Sequence, residues 1–233
     1  LIDIITENLI SIPCTFWLPP GNPSGSDHAD RKAVQFSSTD SRQRKIIEFL
    51  TLHDPFHFSG IQGRELPNFT IGVLGTGRIG QAVIRDLHGF GCKIYAYDKY
   101  ENEAVKQFAE YADLSVIYEK CDLITLHMPL SEDNFHIIDA SAMKNMKDGV
   151  VIINTARGSL IDTKALIEAL ESGKVGAAGL DVIEDELGMY YYNRKSDILS
   201  KRDLYVLRGF PNVIVTPHMA FYTDQAVSDM VKH

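Results

Sequence analysis

The sequence predicts an α/β protein built around a doubly wound parallel sheet. Two observations support this fold class. From Gly60 onward, short apolar runs alternate with segments in which apolar residues recur at helical spacing. A glycine-rich turn, GTGRIG, follows the first of these runs and opens a helical segment. Ligands of such sheets bind beyond the carboxyl ends of the strands, so the residues that directly follow each strand are the candidates for function.

The first unit of the predicted sheet consists of a strand, a turn, a helix and a second strand. Residues 69–74 form a partly β-branched apolar run, residues 78–87 place apolar side chains at helical spacing, and residues 93–97 form another apolar run. The turn between the first strand and the helix has G-x-G-x-x-G spacing in Gly75, Gly77 and Gly80.

Each part of this unit has a physical role in holding a dinucleotide. Gly75 permits a tight turn, Gly77 lets the backbone approach a pyrophosphate, and Gly80 lets the helix pack on the strand. The N-terminus of the helix directs free N–H groups at the phosphates. Asp98 closes the second strand, where a carboxylate accepts hydrogen bonds from the adenosine ribose. This carboxylate favours NAD, but Lys99 beside it would soften the repulsion of a 2′-phosphate and keeps NADP as the less favoured alternative.

Further strands and helices are predicted after this unit. The strands are expected at residues 122–128, 149–155, 175–182 and 212–216, and the helices near residues 101–111, 116–120, 140–146 and 162–172. Ser115, Asp139 and Asp162 are predicted to cap helix N-termini, and Gly173 is expected to end a helix in the left-handed conformation.

Three residues that could perform chemistry follow three different strands of the predicted sheet. Arg157 could hold a substrate carboxylate through its planar guanidinium. His218 could give a proton to a carbonyl oxygen as hydride reaches the carbon, and Glu186 beside it would favour the protonated imidazole. Together they suit hydride exchange at a carbon next to a carboxylate.

Other histidines and tyrosines are interpreted as structural. His127 follows a strand, and we expect it to line the cofactor cleft or to cap the strand rather than to transfer protons. His53 and His57 have Pro55 between them, which spoils the helix that a metal-binding pair would need. Residues 190–192, three tyrosines, are interpreted as packing or interface side chains, and no metal site is predicted.

Composition and charge exclude several classes of function. A net charge of −8 and an isoelectric point of about 5.4 argue against a nucleic-acid-binding surface and against an anionic-membrane anchor. Cys14, Cys92 and Cys121 show no metal-type spacing and predict a reducing compartment, which is the cytoplasm in our interpretation. The apolar first 18 residues are interrupted by Asp3 and Glu7, so neither a signal peptide nor a membrane span is predicted.

From about Gly60 onward, the sequence resembles the D-2-hydroxyacid dehydrogenases. The resemblance is closest to the NAD-dependent D-lactate dehydrogenases and to the pyruvate reductases of vancomycin resistance. The matching stretches occur in the order that the family has and cover about three quarters of the chain: GIQGREL, GVLGTGRIG, DLITLHMPL, VIINTARGSLIDT, GLDVIEDE and NVIVTPHMAFYTDQA.

The resemblance implies roles for individual residues. Arg157 is the substrate arginine, Glu186 is the acid paired with the histidine, and His218 is the proton donor. Asp181 would hold the nicotinamide carboxamide, and Phe221 would line the substrate pocket. Further implied cofactor contacts are Arg78, Ile79, Asp98, Met128, Pro129, Asn134, Thr155, Ala156 and Arg157 itself.

The resemblance also divides the chain. Residues 53–223 are expected to form the dinucleotide-binding domain, and residues 224–233 to begin the helix that returns to the first lobe. Residues 1–52 are expected to be a linker helix and a truncated remnant of the lobe that binds the substrate in this family. A homodimer formed through the cofactor domain is implied as well.

The sequence therefore predicts an NAD-dependent oxidoreductase that interconverts a 2-oxo acid and a D-2-hydroxy acid. Pyruvate and D-lactate are the expected pair. Two alternatives remain open at this point. One is a catalytically impaired dinucleotide-binding protein, because the first lobe is short. The other is a dehydrogenase of the phosphoglycerate or formate type.

Overall fold

The strands form one parallel sheet of seven strands in the order β3-β2-β1-β4-β5-β6-β7. The computed structural model describes residues 65–186, 202–222 and 226–229. The strands are β1 (Thr70–Leu74), β2 (Lys93–Tyr97), β3 (Glu110–Tyr111), β4 (Leu123–Leu126), β5 (Val150–Asn154), β6 (Val175–Leu180) and β7 (Val213–Val215). The chain runs outward from β1 to β3 and then returns to β4 on the other side of β1. This reversal defines the doubly wound Rossmann arrangement and confirms the predicted fold class.

Helices connect the strands and cover both faces of the sheet. They are α1 (Arg78–Gly89), α2 (Glu103–Lys106), α3 (Leu114–Lys120), α4 (Ala140–Asn145), α5 (Thr163–Glu171) and α6 (Arg202–Gly209). Short 3₁₀ helices lie at Leu66–Asn68, Glu132–Asn134 and Gly158–Leu160. In the described part of the chain, no helix is long and apolar enough to cross a bilayer.

Two hydrophobic cores lie on opposite faces of the sheet, because successive strand residues point to opposite sides. Within β1, Ile71 and Val73 pack with Ile84 of α1, whereas Leu74 packs in the other core. That second core is the larger one and includes buried residues of α3 to α6. Since both faces of the central strands are buried, these strands are continuously apolar rather than alternating.

The predicted helix boundaries that depend on local chemistry are mostly confirmed. The Asp139 carboxylate accepts a hydrogen bond from the backbone N–H of Ala142 at 2.7 Å. The Asp162 carboxylate accepts from the N–H groups of Lys164 and Ala165, so both aspartates cap their helices. Gly173 has φ +76° after α5, in the left-handed conformation predicted for it.

Two predictions of local structure are wrong. A helix was expected over residues 101–111, but α2 has only four residues and the chain then forms β3. The edge strand is stabilised by its pairing with β2, in which Tyr111 faces Ala96, and this pairing is tertiary rather than local. Ser115 was expected to cap α3, but the helix begins at Leu114 and its N-cap is Asp113.

Cys92 and Cys121 are free and buried. Cys92 and Cys121 are 7% and 0% exposed, respectively. Burial raises the pKa of the Cys92 thiol to about 11 and that of the Cys121 thiol to about 12. Both side chains are therefore protonated near neutrality and pack as small apolar groups.

Several predictions concern residues outside the described ranges. They are the remnant lobe and linker helix over residues 1–52, Cys14, His53, His57 and the tyrosines at 190–192. Residues 226–229 are helical, within the segment expected to begin the return helix.

The strands that carry the candidate site end at one level of the sheet. Six residues stand side by side across the paired strands in the order Tyr97, Leu74, Leu126, Asn154, Leu180 and Val215. The residues that follow them therefore share one edge of the sheet. Four strand spacings separate β2 from β6, which is about 19 Å along this edge.

Candidate active site

The first and third glycines of the turn after β1 are required by close backbone contacts. Gly75 has φ +98°, and a Cβ atom there would lie 2.6 Å from the carbonyl carbon of His127. A Cβ atom on Gly80 would collide with the carbonyl oxygen of Gly75. These contacts pack α1 directly against the ends of β1 and β4, as predicted for the two glycines.

Gly77 differs from its neighbours because the space beside it is open. A Cβ atom there would meet nothing within 4 Å. Gly77 is also the N-cap of α1 and supplies no side-chain hydrogen bond to the helix. The N-terminus of α1, with its first N–H groups and its positive dipole end, thus has open space beside it, which leaves room for a pyrophosphate. Arg78 is exposed and Ile79 half-buried at this entrance.

Replacing Gly77 with Ala tests this phosphate cradle. The backbone angles at Gly77, φ −66° and ψ −166°, suit alanine, so the cost in unfolding free energy is expected to stay below about 1 kcal/mol. The Kd for NADH, measured by calorimetry, is expected to rise about tenfold or more, because the methyl group would occupy the space of the pyrophosphate. Gly89→Ala is the control, since its Cβ also meets nothing and lies at the far end of α1. Equal NADH affinity in both variants would contradict the cradle.

Asp98 is held in place by the residue between the first two glycines. Its Oδ2 atom accepts hydrogen bonds from the backbone N–H of Thr76 at 2.6 Å and from Thr76 Oγ1 at 3.1 Å. Its Oδ1 atom accepts from the N–H of Tyr100 at 3.2 Å. The Lys99 ammonium is paired with Asp133 at 3.3 Å in an exposed ion pair rather than with Asp98. The carboxylate therefore stands fixed beside the glycine turn, at the ribose end of the predicted site.

Asn134 shapes the loop that follows β4. Its amide nitrogen donates to the carbonyl oxygen of Pro129 at 2.8 Å and contacts Met128 Sδ at 3.5 Å. Its amide oxygen accepts the N–H of Ser131 at 2.7 Å. The predicted cofactor residues Met128, Pro129 and Asn134 thus form one hydrogen-bonded turn, in which Met128 is buried and Pro129 is exposed.

His127 is half-buried, directly precedes this turn and lies close to Gly75 and Gly80 of the glycine loop. Its Nε2 atom lies 2.9 Å from the Oγ1 atom of Thr125, which is fully buried. Burial lowers the pKa of His127 to about 4. The imidazole is therefore neutral at physiological pH and is unsuited to donate protons, in line with the structural role expected from the sequence.

The lowered pKa of the half-buried His127 makes folding stability depend on pH. In the unfolded chain, His127 takes up a proton as the pH falls through about 6.5, whereas in the folded protein it does so only near pH 4. Folding stability is thus expected to be undiminished above pH 6.5 and to fall by up to about 3 kcal/mol between pH 6.5 and 4. Urea unfolding of the His127→Gln variant at several pH values should show a flatter dependence. If the unfolding free energies of both proteins fell equally with pH, His127 would not be the cause of the pH dependence.

Asn154 orients the turn after β5, which carries Arg157. Its buried amide nitrogen donates to the carbonyl oxygen of Arg157 at 2.8 Å, and its amide oxygen accepts the N–H of Ala156 at 3.0 Å. Arg157 is exposed, and its Nη1 atom donates to the carbonyl oxygen of Ala156 at 2.6 Å. Thr155 Oγ1 is buried and has no hydrogen-bond partner among the described residues. This unsatisfied hydroxyl lies in the turn predicted to contact the cofactor and fits a bound polar ligand.

The turn after β5 rests on the loop after β6. A Cβ atom on Gly158 would collide with the backbone of Ile183 and Glu184. Direct backbone contact therefore joins the segment after Arg157 to the loop that carries Glu186.

Asp181 links the ends of three strands. Its backbone N–H donates to the backbone carbonyl oxygen of Asn154 at 2.9 Å. Its own carbonyl oxygen accepts a hydrogen bond from the N–H of His218 at 2.8 Å. Its buried carboxylate accepts from Thr216 Oγ1 at 2.5 Å and from the N–H groups of Met219 and Ala220 at 2.9 Å. The side chain thus anchors the turn that presents His218, a role that the sequence did not predict. The contact with the nicotinamide carboxamide stays a prediction.

Glu186 and His218 form a direct pair. The Oε1 atom of Glu186 lies 2.7 Å from His218 Nδ1, and its Oε2 atom accepts the N–H of Ile183 at 3.1 Å. His218 has φ +51° and Asp185 has φ +56°, both in the left-handed region that non-glycine residues seldom adopt. Such uncommon backbone conformations cluster at functional sites. The Phe221 ring stands edge-on to the imidazole, with centroids 6.5 Å apart.

A second histidine–carboxylate pair stands next to the first, and sequence reasoning missed it. The Glu184 Oε1 atom lies 2.6 Å from His136 Nε2, and Asp162 Oδ2 lies 3.9 Å from His136 Nδ1. His136 also has positive φ, at +51°. The pair ties the loop after β4 to the loop after β6. No local signal could have shown a partner 48 residues away in sequence.

An open phosphate cradle at one end of the sheet edge and a histidine–carboxylate pair at the other define a dehydrogenase-type dinucleotide-binding domain. The comparison with protein families is specific. A model described as "D-isomer specific 2-hydroxyacid dehydrogenase, NAD binding domain" matches residues 41–220. The chain belongs to this family and contains its NAD-binding domain, so the sequence prediction of the family and of NAD as cofactor is confirmed.

Individual relatives agree with this assignment. An aromatic 2-oxoacid reductase from Clostridium sporogenes is 51% identical over 178 residues, which are 76% of this chain and 54% of that protein. A D-lactate dehydrogenase from Treponema pallidum superposes with a TM-score of 0.75 at 37% identity, covering 82% of this chain and 58% of that one. The NAD-complexed D-isomer specific 2-hydroxyacid dehydrogenase from Lactobacillus delbrueckii ssp. bulgaricus superposes with a TM-score of 0.75 at 34% identity. The match covers 83% of this chain and 58% of that one. The chain thus spans little more than half the length of these relatives.

Proposed function

We propose that this protein uses NADH to reduce 2-oxo acids to D-2-hydroxy acids, and catalyses the reverse oxidation with NAD. The observation that supports the proposal most strongly is the Glu186–His218 pair, 2.7 Å apart, on loops that follow neighbouring strands. The pair and the glycine turn lie at the same edge of the sheet. The glycine turn follows β1, whereas the pair follows β6 and β7, which are three and four strands away from β1. A cofactor whose pyrophosphate rests on α1 would extend along this edge towards the pair.

The roles of the side chains follow from their chemistry. NAD supplies the hydride acceptor and NADH the hydride donor. The Arg157 guanidinium would leave the Ala156 carbonyl oxygen and grip the substrate carboxylate with two parallel hydrogen bonds. The His218 imidazolium would donate its Nε2 proton to the substrate carbonyl oxygen, which becomes the hydroxyl of the product.

Glu186 would act on His218 in two ways. Its carboxylate would accept a hydrogen bond from Nδ1–H, which orients the ring so that Nε2 points away from Glu186. Its negative charge would lie directly beside the positive charge of the imidazolium that donates the proton. Asp181 would keep the turn that carries His218 in place through its three hydrogen bonds.

The proposed substrate is pyruvate, with D-lactate as the product. The fold similarity to the Treponema pallidum D-lactate dehydrogenase supports this choice. Aromatic 2-oxo acids are a second candidate, because the 51% identical relative from Clostridium sporogenes is named an aromatic 2-oxoacid reductase. Phe221, half-buried and edge-on to His218, would contact the substrate side chain in either case.

A comparison of substrates tests the proposal. Oxidation of NADH is followed at 340 nm with pyruvate, phenylpyruvate, hydroxypyruvate and phosphohydroxypyruvate, and the kcat/KM values are compared. We expect turnover with pyruvate or phenylpyruvate to exceed that with the hydroxylated and phosphorylated acids. Preference for phosphohydroxypyruvate would favour a phosphoglycerate-type enzyme. NADH binding without turnover of any 2-oxo acid would favour a catalytically impaired dinucleotide-binding protein. Assembly into a homodimer and location in the cytoplasm remain predictions from the sequence.

A further inference from the structure

A chain of hydrogen bonds reaches Asp98 from the edge strand β3. The Tyr111 hydroxyl, at the end of β3, donates to Thr76 Oγ1 at 2.9 Å. Thr76 Oγ1 in turn donates to Asp98 Oδ2 at 3.1 Å, and the Thr76 backbone N–H donates to the same oxygen at 2.6 Å. Thr76 is only 3% exposed, so water does not compete readily for these bonds.

The direction of this chain is fixed by its donors. The Tyr111 hydroxyl accepts the backbone N–H of Asn102 at 2.9 Å, so its own hydrogen goes to Thr76 Oγ1. Thr76 Oγ1 accepts that hydrogen and directs its own hydrogen to Asp98 Oδ2. One carboxylate oxygen of Asp98 is thus held by two donors of Thr76. The other oxygen accepts a single, longer bond from the Tyr100 N–H at 3.2 Å.

We propose that Tyr111 is a positioning residue that sets the preference for NAD over NADP by fixing Asp98 through Thr76. The inference rests on NAD binding and not on the proposed turnover. A fixed carboxylate whose Oδ1 atom accepts one long bond has acceptor capacity left for the ribose hydroxyls of NAD. The same fixed charge repels the 2′-phosphate of NADP.

Loosening Asp98 should favour NADP for a further reason. Without a well-placed Thr76 hydroxyl, Asp98 Oδ2 is held by the Thr76 N–H alone and the carboxylate can turn further towards solvent, which weakens the repulsion. Lys99 stands next to it with a side chain that is 70% exposed, and its ion pair with Asp133 is exposed as well. Such pairs are weak, so the Lys99 ammonium can turn to a phosphate at little cost.

The test compares NADH and NADPH binding to the full chain by isothermal titration calorimetry. For Tyr111→Phe, the ratio of the NADPH Kd to the NADH Kd is expected to fall about threefold to tenfold, as expected for the loss of one hydrogen bond. Most of this change should be weaker NADH binding. Thr76→Val, which removes the hydroxyl but keeps the backbone N–H, should lower the ratio in the same direction. Adding Tyr111→Phe to Thr76→Val should change the ratio no further, because Tyr111 acts through that hydroxyl.

Tyr118→Phe is the matched control. Its buried hydroxyl also donates one hydrogen bond, to the carbonyl oxygen of Ile137 at 2.8 Å, and it lies in the other core of the sheet. The ratio of the NADPH Kd to the NADH Kd should be the same in this variant as in the unsubstituted protein. Equal weakening of both cofactors by Tyr111→Phe, or an undiminished effect in the Thr76→Val background, would overturn the inference. Failure of the unsubstituted protein to bind NADH would overturn it together with the cofactor assignment.

Discussion

Replacing His218 with Asn is expected to lower kcat for 2-oxo acid reduction by about 10²- to 10⁴-fold, the usual contribution of a general acid. Asparagine is the suitable replacement because residue 218 has φ +51°, a conformation that asparagine tolerates. The variant keeps the fold and the glycine cradle, so the Kd for NADH should change little. Stopped-flow measurement of a single turnover gives the rate constant of the chemical step directly.

Two further variants distinguish loss of the proton donor from a general loss of activity on substitution. Glu186→Gln keeps a hydrogen-bond acceptor for Nδ1 but replaces a charge-assisted hydrogen bond with a weaker neutral one, so a smaller loss of about 10- to 100-fold is expected. His88→Asn changes an exposed histidine near the end of α1 and should leave the rate as it is. If His218→Asn reduced 2-oxo acids as fast as His88→Asn, the assigned proton donor would be wrong.

Replacing Arg157 with Lys is expected to lower kcat/KM for 2-oxo acids by about 10- to 150-fold, mostly through KM, because one of the two hydrogen bonds is lost. Lysine keeps the positive charge but cannot make the two parallel hydrogen bonds of a guanidinium to a carboxylate. Each hydrogen bond to a charged group contributes about 1.5–3 kcal/mol, which sets this range. Steady-state kinetics with saturating NADH provides the measurement.

Arg85→Lys is the control for Arg157→Lys. Arg85 is exposed on α1, in the same cofactor-binding domain. The protein should remain folded in both variants, because the turn at residue 157 is held by Asn154 through backbone atoms. An unchanged KM for the 2-oxo acid in Arg157→Lys would show that another group binds the substrate carboxylate.

The parts of this fold that are determined by local sequence could be predicted. The glycine spacing defined the turn after β1, because Gly75 and Gly80 are the positions at which a side chain would collide with backbone. Asp139 and Asp162 were recognised as caps, since a cap depends on a bond to an N–H two or three residues away. Continuous apolar runs marked the central strands, which are buried on both faces.

The parts that depend on tertiary contacts could not be predicted from the sequence. β3 has two residues, and only its pairing with β2 makes it a strand. The carboxylate of Asp181 holds the turn that carries His218, and its donors lie more than 30 residues away in the sequence. The contacts of Glu184 with His136 and of Tyr111 with Thr76 also join distant segments. Composition and periodicity carry no signal for such pairs.

Transfer of deuterium from labelled NADH tests the central claim most directly. The protein is incubated with NADH that carries two deuterium atoms at C4 of the nicotinamide and with pyruvate or phenylpyruvate. Chiral chromatography and mass spectrometry then identify the product. The proposed site predicts a D-2-hydroxy acid with one deuterium at C2. Saturable binding of NADH without deuterium in any 2-hydroxy acid, or a labelled L-enantiomer, would contradict it.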